Sequence, residues 1–138
     1  MKVKIKRLHE KSMIPKYAHD GDAGLDLTIT SVEQLDVEHI KYGFGLAFEI
    51  PRGYVGLLFP RSSCYKQRQL MSNCVGVLDS NYRGEVSAVM LGTTNTSYKV
   101  GDRAVQLIVM PYPEIELIEV DELNETERGQ GGYGSTGK

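Results

Sequence analysis

Gly101-Asp102-Arg103-Ala104-Val105-Gln106-Leu107-Ile108-Val109 decides the fold: Val105, Leu107 and Val109 recur at every second position, the period of a strand with one buried face. Gln106 then points away from its aliphatic neighbours, to the opposite side of the strand. Outward from this stretch the same alternation returns at Val3 and Ile5, at Leu25, Leu27 and Ile29, and at Leu46, Phe48 and Ile50. It returns again at Val86, Ala88 and Met90 and, less strictly, at Ile115, Leu117 and Val120. Turn formers separate these runs at short intervals, among them Asp20-Gly21-Asp22, Pro51-Arg52-Gly53, Asp79-Ser80-Asn81, Arg83-Gly84 and Val100-Gly101-Asp102. Many short strands with such punctuation predict an all-β sandwich or barrel. One short helix is expected over Cys64 to Leu70, capped by the hydroxyl of Ser62 or Ser63, and Ser31 to Lys41 can also be read as helical.

The chain has 138 residues, the length of a single domain. Hydrophobic residues make up 41% and charged residues 25%, ordinary globular usage that excludes wholesale disorder and coiled coil. With 16 Lys plus Arg against 18 Asp plus Glu the net charge is −2, so no bulk field holds a nucleic acid or an anionic membrane. An anionic ligand must be gripped locally. No apolar run reaches the ~18 residues of a membrane span, and the charged start Met1 to Arg7 lacks an apolar signal core. A cytoplasmic location is expected. Cys64 and Cys74 have neither disulfide nor metal spacing and read as reduced thiols, while His9, His19 and His39 read as surface residues.

From about Asp121 the composition turns polar, and the segment from Arg128 to Lys138 is rich in glycine. Such a segment cannot offset its ordering entropy by burial, so it is expected to be mobile unless a ligand or neighbouring subunit holds it. Gly129 to Gly134 spells GxGxxG, and Gly132 to Lys138 begins a P-loop, but no helix follows to aim its N-terminus at phosphates. What survives is a glycine-rich backbone able to approach an anion closely.

Five segments carry polar groups that a structural loop does not need. Ala23-Gly24-Leu25-Asp26-Leu27 sets an acid inside an apolar strand. Phe59-Pro60-Arg61-Ser62-Ser63 ends a strand with a guanidinium and two hydroxyls, a donor set suited to phosphate. Asn73 to Val86 reads as a hairpin with Asp79 and Tyr82 at its turn, offering backbone donors and acceptors of the kind a pyrimidine imide edge requires. Gly101 to Leu107 presents Gln106. Arg128 to Gly137 combines Arg128, Tyr133, Ser135 and Thr136 among glycines.

In order and spacing these segments resemble the five motifs of the trimeric dUTP pyrophosphatases, the dUTPases, from about Ala23 to the end of the chain. The resemblance implies a distorted β jelly roll with one short helix, assembled as a homotrimer whose active sites lie between subunits. Residues 1–123 would form the jelly-roll domain, and residues 124–138 a flexible arm closing the site. The implied activity is hydrolysis of dUTP to dUMP and pyrophosphate, which limits uracil in DNA and supplies dUMP for dTMP synthesis. It is assisted by Mg2+ held mainly by substrate phosphates and waters, with Asp26 in a possible outer-shell role. By the same resemblance Asp79 activates the attacking water, with Asp26 and Gln106 completing the catalytic set. Arg61, Ser62, Ser63, Gln106, Arg128, Ser135 and Thr136 bind phosphates. Asn73, Gly76, Val77, Leu78, Tyr82 and Tyr133 receive uracil and deoxyribose. Tyr133 stands where the family usually has Phe, and Ser63 where it commonly has Gly. Neither nucleic acid nor membrane is an expected partner. A dCTP deaminase and a non-catalytic nucleotide-responsive binding protein share the implied fold and stand as alternatives.

Overall fold

The strand that opens the sequence argument, β10 (Arg103–Pro111), lies between β2 (Leu25–Thr28) and β6 (Tyr54–Pro60), antiparallel to both. The structure is a computed structural model that describes residues 1–92 and 98–132. β6 also pairs with β8 (Gly76–Leu78), which gives a four-stranded sheet of order β2-β10-β6-β8. A second four-stranded sheet has the order β3-β4-β9-β7, from β3 (Ser31–Gln34), β4 (His39–Gly43), β7 (Gln69–Met71) and β9 (Ser87–Gly92). A two-stranded ribbon of β1 (Lys4–Arg7) and β5 (Leu46–Glu49) completes the set. The alternating residues do what their period requires: Leu27, Leu58, Val105 and Leu107 face Tyr42, Phe44, Leu46 and Met90 in one fully buried cluster. Among the described residues no helix is long and apolar enough to cross a membrane.

The observed arrangement corrects four expectations. Ser31 to Lys41 is a β-hairpin, because the Asp36 carboxylate accepts the N–H groups of Glu38 and His39 and bends the chain there. The one short helix expected is present, but as a 3-10 helix over Ser62–Gln67 rather than Cys64 to Leu70, preceded by Arg61 and without a side-chain cap. Arg68 ends it at φ 49°, and Gln69 then enters β7, where its amide bonds the buried Tyr42 hydroxyl at 3.0 Å. Tertiary pairing thus overrides local helix preference. Asn73 to Val86 is no hairpin, since β8 belongs to the first sheet and β9 to the second, so this loop crosses from one layer to the other. Ile115, Leu117 and Val120 form no strand; they stand 74%, 87% and 54% exposed, with no neighbouring strand among the described residues to pair with.

Candidate functional site

Ten of the predicted residues gather around two cavities of the first sheet, one at its β2 side and one at β8. Leu78 pairs with Gly56, and Arg61 lies five residues further on beyond the end of β6, so Asp79 and Arg61 stand about 15 Å or more apart at the usual rise per residue.

At the β2 edge, Gln106 is paired in register with Asp26 on one side and Phe59 on the other, so all three face away from the core. Arg61 follows Phe59 by two residues along an extended backbone and reaches the same face. Its Nε lies 2.9 Å from Asp26 Oδ1, and its Nη1 donates to the Arg103 carbonyl at 3.3 Å. Arg103 Nη1 lies 3.3 Å from the other oxygen, Asp26 Oδ2. Sequence reasoning missed Arg103, because strict alternation puts it on the core side with Val105. A register shift between Arg103 and Val105 inverts that parity and turns Arg103 toward Asp26. The Gln106 amide donates to the Pro60 carbonyl at 3.4 Å, which ties β10 to the end of β6. Gly24 is required here, since a Cβ would stand 2.3 Å from Gln106 Oε1. Asp26, Arg61, Ser62 and Gln106 together line a cavity of about 390 Å3, with His19 and Asp22 on its rim. Ser63 stays half-buried in the 3-10 turn. Behind that turn burial pushes the Tyr98 phenol up from its ordinary value, which keeps it protonated.

At the β8 edge, Asn73, Gly76, Val77, Leu78, Asp79 and Tyr82 line a second cavity of about 220 Å3. β8 is the last strand of its sheet, so its outer edge carries backbone N–H and C=O groups outside the ladder with β6. Gly76 lets this strand close on the core: a Cβ there would meet Leu58 Cβ at 3.0 Å. The loop after β8 is built by its own backbone, the Tyr82 N–H donating to the Asp79 carbonyl at 3.1 Å. The Tyr82 ring lies over Gly84, and its hydroxyl donates to the Glu85 carbonyl at 3.1 Å, which fixes the plane of the ring. Glu85 and Ser87 also line this cavity. Sequence reasoning passed over Glu85, whose carboxylate accepts the Gly45 N–H at 2.8 Å and anchors the loop to the turn before β5. No lining residue is shared by the two cavities.

Arg128 lines neither cavity; its Nε donates to the Gly131 carbonyl at 2.9 Å. Tyr133, Ser135 and Thr136 lie outside the described residues. Among the described residues no three His, Cys, Asp or Glu side chains gather as metal ligands. Both oxygens of Asp26 are engaged by guanidinium groups, which leaves it poorly suited to direct coordination. The donor set therefore does not fit a resident magnesium cage and is compatible with an ion held by phosphate oxygens and water.

The family model described as dUTPase matches residues 10–137. A deoxyuridine 5'-triphosphate nucleotidohydrolase of Nautilia profundicola is 40% identical, over 100% of this chain and 100% of its own. The corresponding protein of Helicobacter pylori is 37% identical over 99% of this chain and 97% of its own. Among solved structures, the dUTPase of Staphylococcus bacteriophage 80alpha with dUPNHPP superimposes with a TM-score of 0.84 at 25% identity, over 99% of each chain.

Proposed function

Because the chain belongs to the dUTPase family, we propose that it hydrolyses dUTP to dUMP and pyrophosphate at sites assembled from more than one copy of itself. The observation that carries this reading is the division of the site. The phosphate-type donors Arg61, Ser62 and Gln106 line one cavity and the nucleoside-type loop with Asp79 and Tyr82 lines another, with no lining residue in common. A second copy bringing its β8 edge to the β2 edge of the first completes one site, and threefold closure repeats it without leaving an open end. The exposed apolar side chains Ile115, Leu117, Ile118, Val120 and Leu123 support association, since no described residue covers them.

In the reaction the water oxygen bonds to the α-phosphorus while the bond to the α–β bridging oxygen breaks, and pyrophosphate leaves. Asp79 orients the water and takes its proton. Ser62, with Arg61, Ser63 and Gln106, holds the phosphates in line, and Asp26 acts by fixing the Arg61 fork. Magnesium chelated by the triphosphate, when bound, offsets the charge that develops on the leaving group. The β8 edge with Asn73, Gly76, Val77 and Leu78 pairs with uracil, and Tyr82 packs on the deoxyribose and excludes a 2′-hydroxyl. The arm of residues 124–138 then closes, with Arg128, Ser135 and Thr136 on the terminal phosphates and Tyr133 over the base. We place this activity in the cytoplasmic nucleotide pool.

Incubation with dUTP, dTTP, dCTP and UTP, with and without magnesium, tests the proposal. Magnesium-dependent pyrophosphate release is expected from dUTP and at most weakly from the others. Ammonia from dCTP would instead identify a deaminase, and binding without turnover a nucleotide-responsive binding protein. Gly24→Ala probes the phosphate side. Its added methyl displaces the Gln106 amide, and kcat/KM should fall about tenfold, the scale of one lost hydrogen bond, with the fold retained.

A further inference from the structure

We infer that His19 is a further binding residue for the pyrophosphate end of the substrate, an inference that rests on the dUTP reading above. His19 lines the same cavity as Arg61, Ser62 and Gln106. Its backbone is held: the His19 N–H donates to Asp22 Oδ2 at 2.8 Å, the Asp22 N–H returns to the His19 carbonyl at 3.3 Å, and Gly21 makes the bend at φ +87°. The ring is exposed at the cavity rim and, among the described residues, has no hydrogen-bond partner.

Charge at this wall makes the ring matter. Two carboxylates, Asp22 and Asp26, line the cavity against one guanidinium, Arg61, whose Nε is already on Asp26. Arg103 supports that same carboxylate from behind. With Arg61 and Arg103 both on Asp26, a pyrophosphate brings several negative charges to a wall that carries no excess positive charge. An imidazole offers an N–H donor to the first phosphate oxygen that arrives.

The test compares wild type with His19→Ala and His19→Lys, reading kcat, KM for dUTP, and inhibition by inorganic pyrophosphate and by dUMP. In His19→Ala, KM for dUTP and the inhibition constant for pyrophosphate should each rise about three- to tenfold, the range of one solvent-exposed charge-assisted contact. The kcat and the dUMP constant should stay within about twofold, since the remaining machinery is untouched. His19→Lys, which restores an N–H donor, should hold the pyrophosphate constant near wild type. An unchanged pyrophosphate constant in His19→Ala, or an equal loss toward dUMP, overturns the assignment while leaving dUTP hydrolysis standing. Wild-type protein that releases no pyrophosphate from dUTP overturns the functional reading itself.

Discussion

Asp79→Asn is expected to lower kcat by about 10³-fold, within the range that removing a positioned general base costs, while dUTP still binds. The carboxylate is exposed on the loop after β8 and lines the nucleoside cavity. Its backbone, rather than its side chain, builds the loop, through the bond from the Tyr82 N–H to the Asp79 carbonyl. Asparagine keeps the size and the backbone, so the fold and the uracil contacts persist while the group that takes the proton is lost. Single-turnover pyrophosphate release reads the chemical step, and competition by dUMP reads binding. A variant that still turns over within tenfold of wild type would remove Asp79 from the base role. One that loses dUMP binding in parallel would make it a binding residue instead.

How much of this was legible in the sequence follows from which interactions are local. The alternation around Gln106 is local, and so are the face assigned to that residue and the placement of Arg61 beyond the end of an apolar strand. Strand partnership is not local. The two apolar arms flanking Asp79 and Tyr82 look like a hairpin, yet β8 pairs with β6 and β9 with β4 and β7. The run from Ser31 to Lys41 carries no strong periodicity, and an Asx bend at Asp36 decided it. Arg103 was hidden for a sharper reason: a one-residue register shift reverses the side on which every earlier residue of the strand emerges. His19 gave no signal because a lone histidine in a turn has no spacing to read; only the fold brings it to the cavity that Arg61 lines.

Ile115, Leu117 and Val120 illustrate the same limit from the other direction. Their loose alternation predicts a strand, while among the described residues they pair with no strand and stay exposed. The polar residues are likewise divided between two cavities. Arg61 and Asp26 satisfy each other in one, Asp79 and Tyr82 are arranged at the other, and the length of β6 lies between Arg61 and Asp79.

Subunit complementation tests this division directly. Asp79→Ala and Arg61→Ala proteins, each inactive alone, are unfolded, mixed in equal amounts, refolded together and assayed for pyrophosphate release from dUTP. If each site takes Asp79 from one copy and Arg61 from another, every mixed trimer regains one intact site, and activity should return to on the order of a quarter of wild type. Refolded mixtures that exchange subunits, shown by recovery of differently tagged chains in one assembly, yet remain as inactive as the parents would contradict a shared site and place both residues in the same copy.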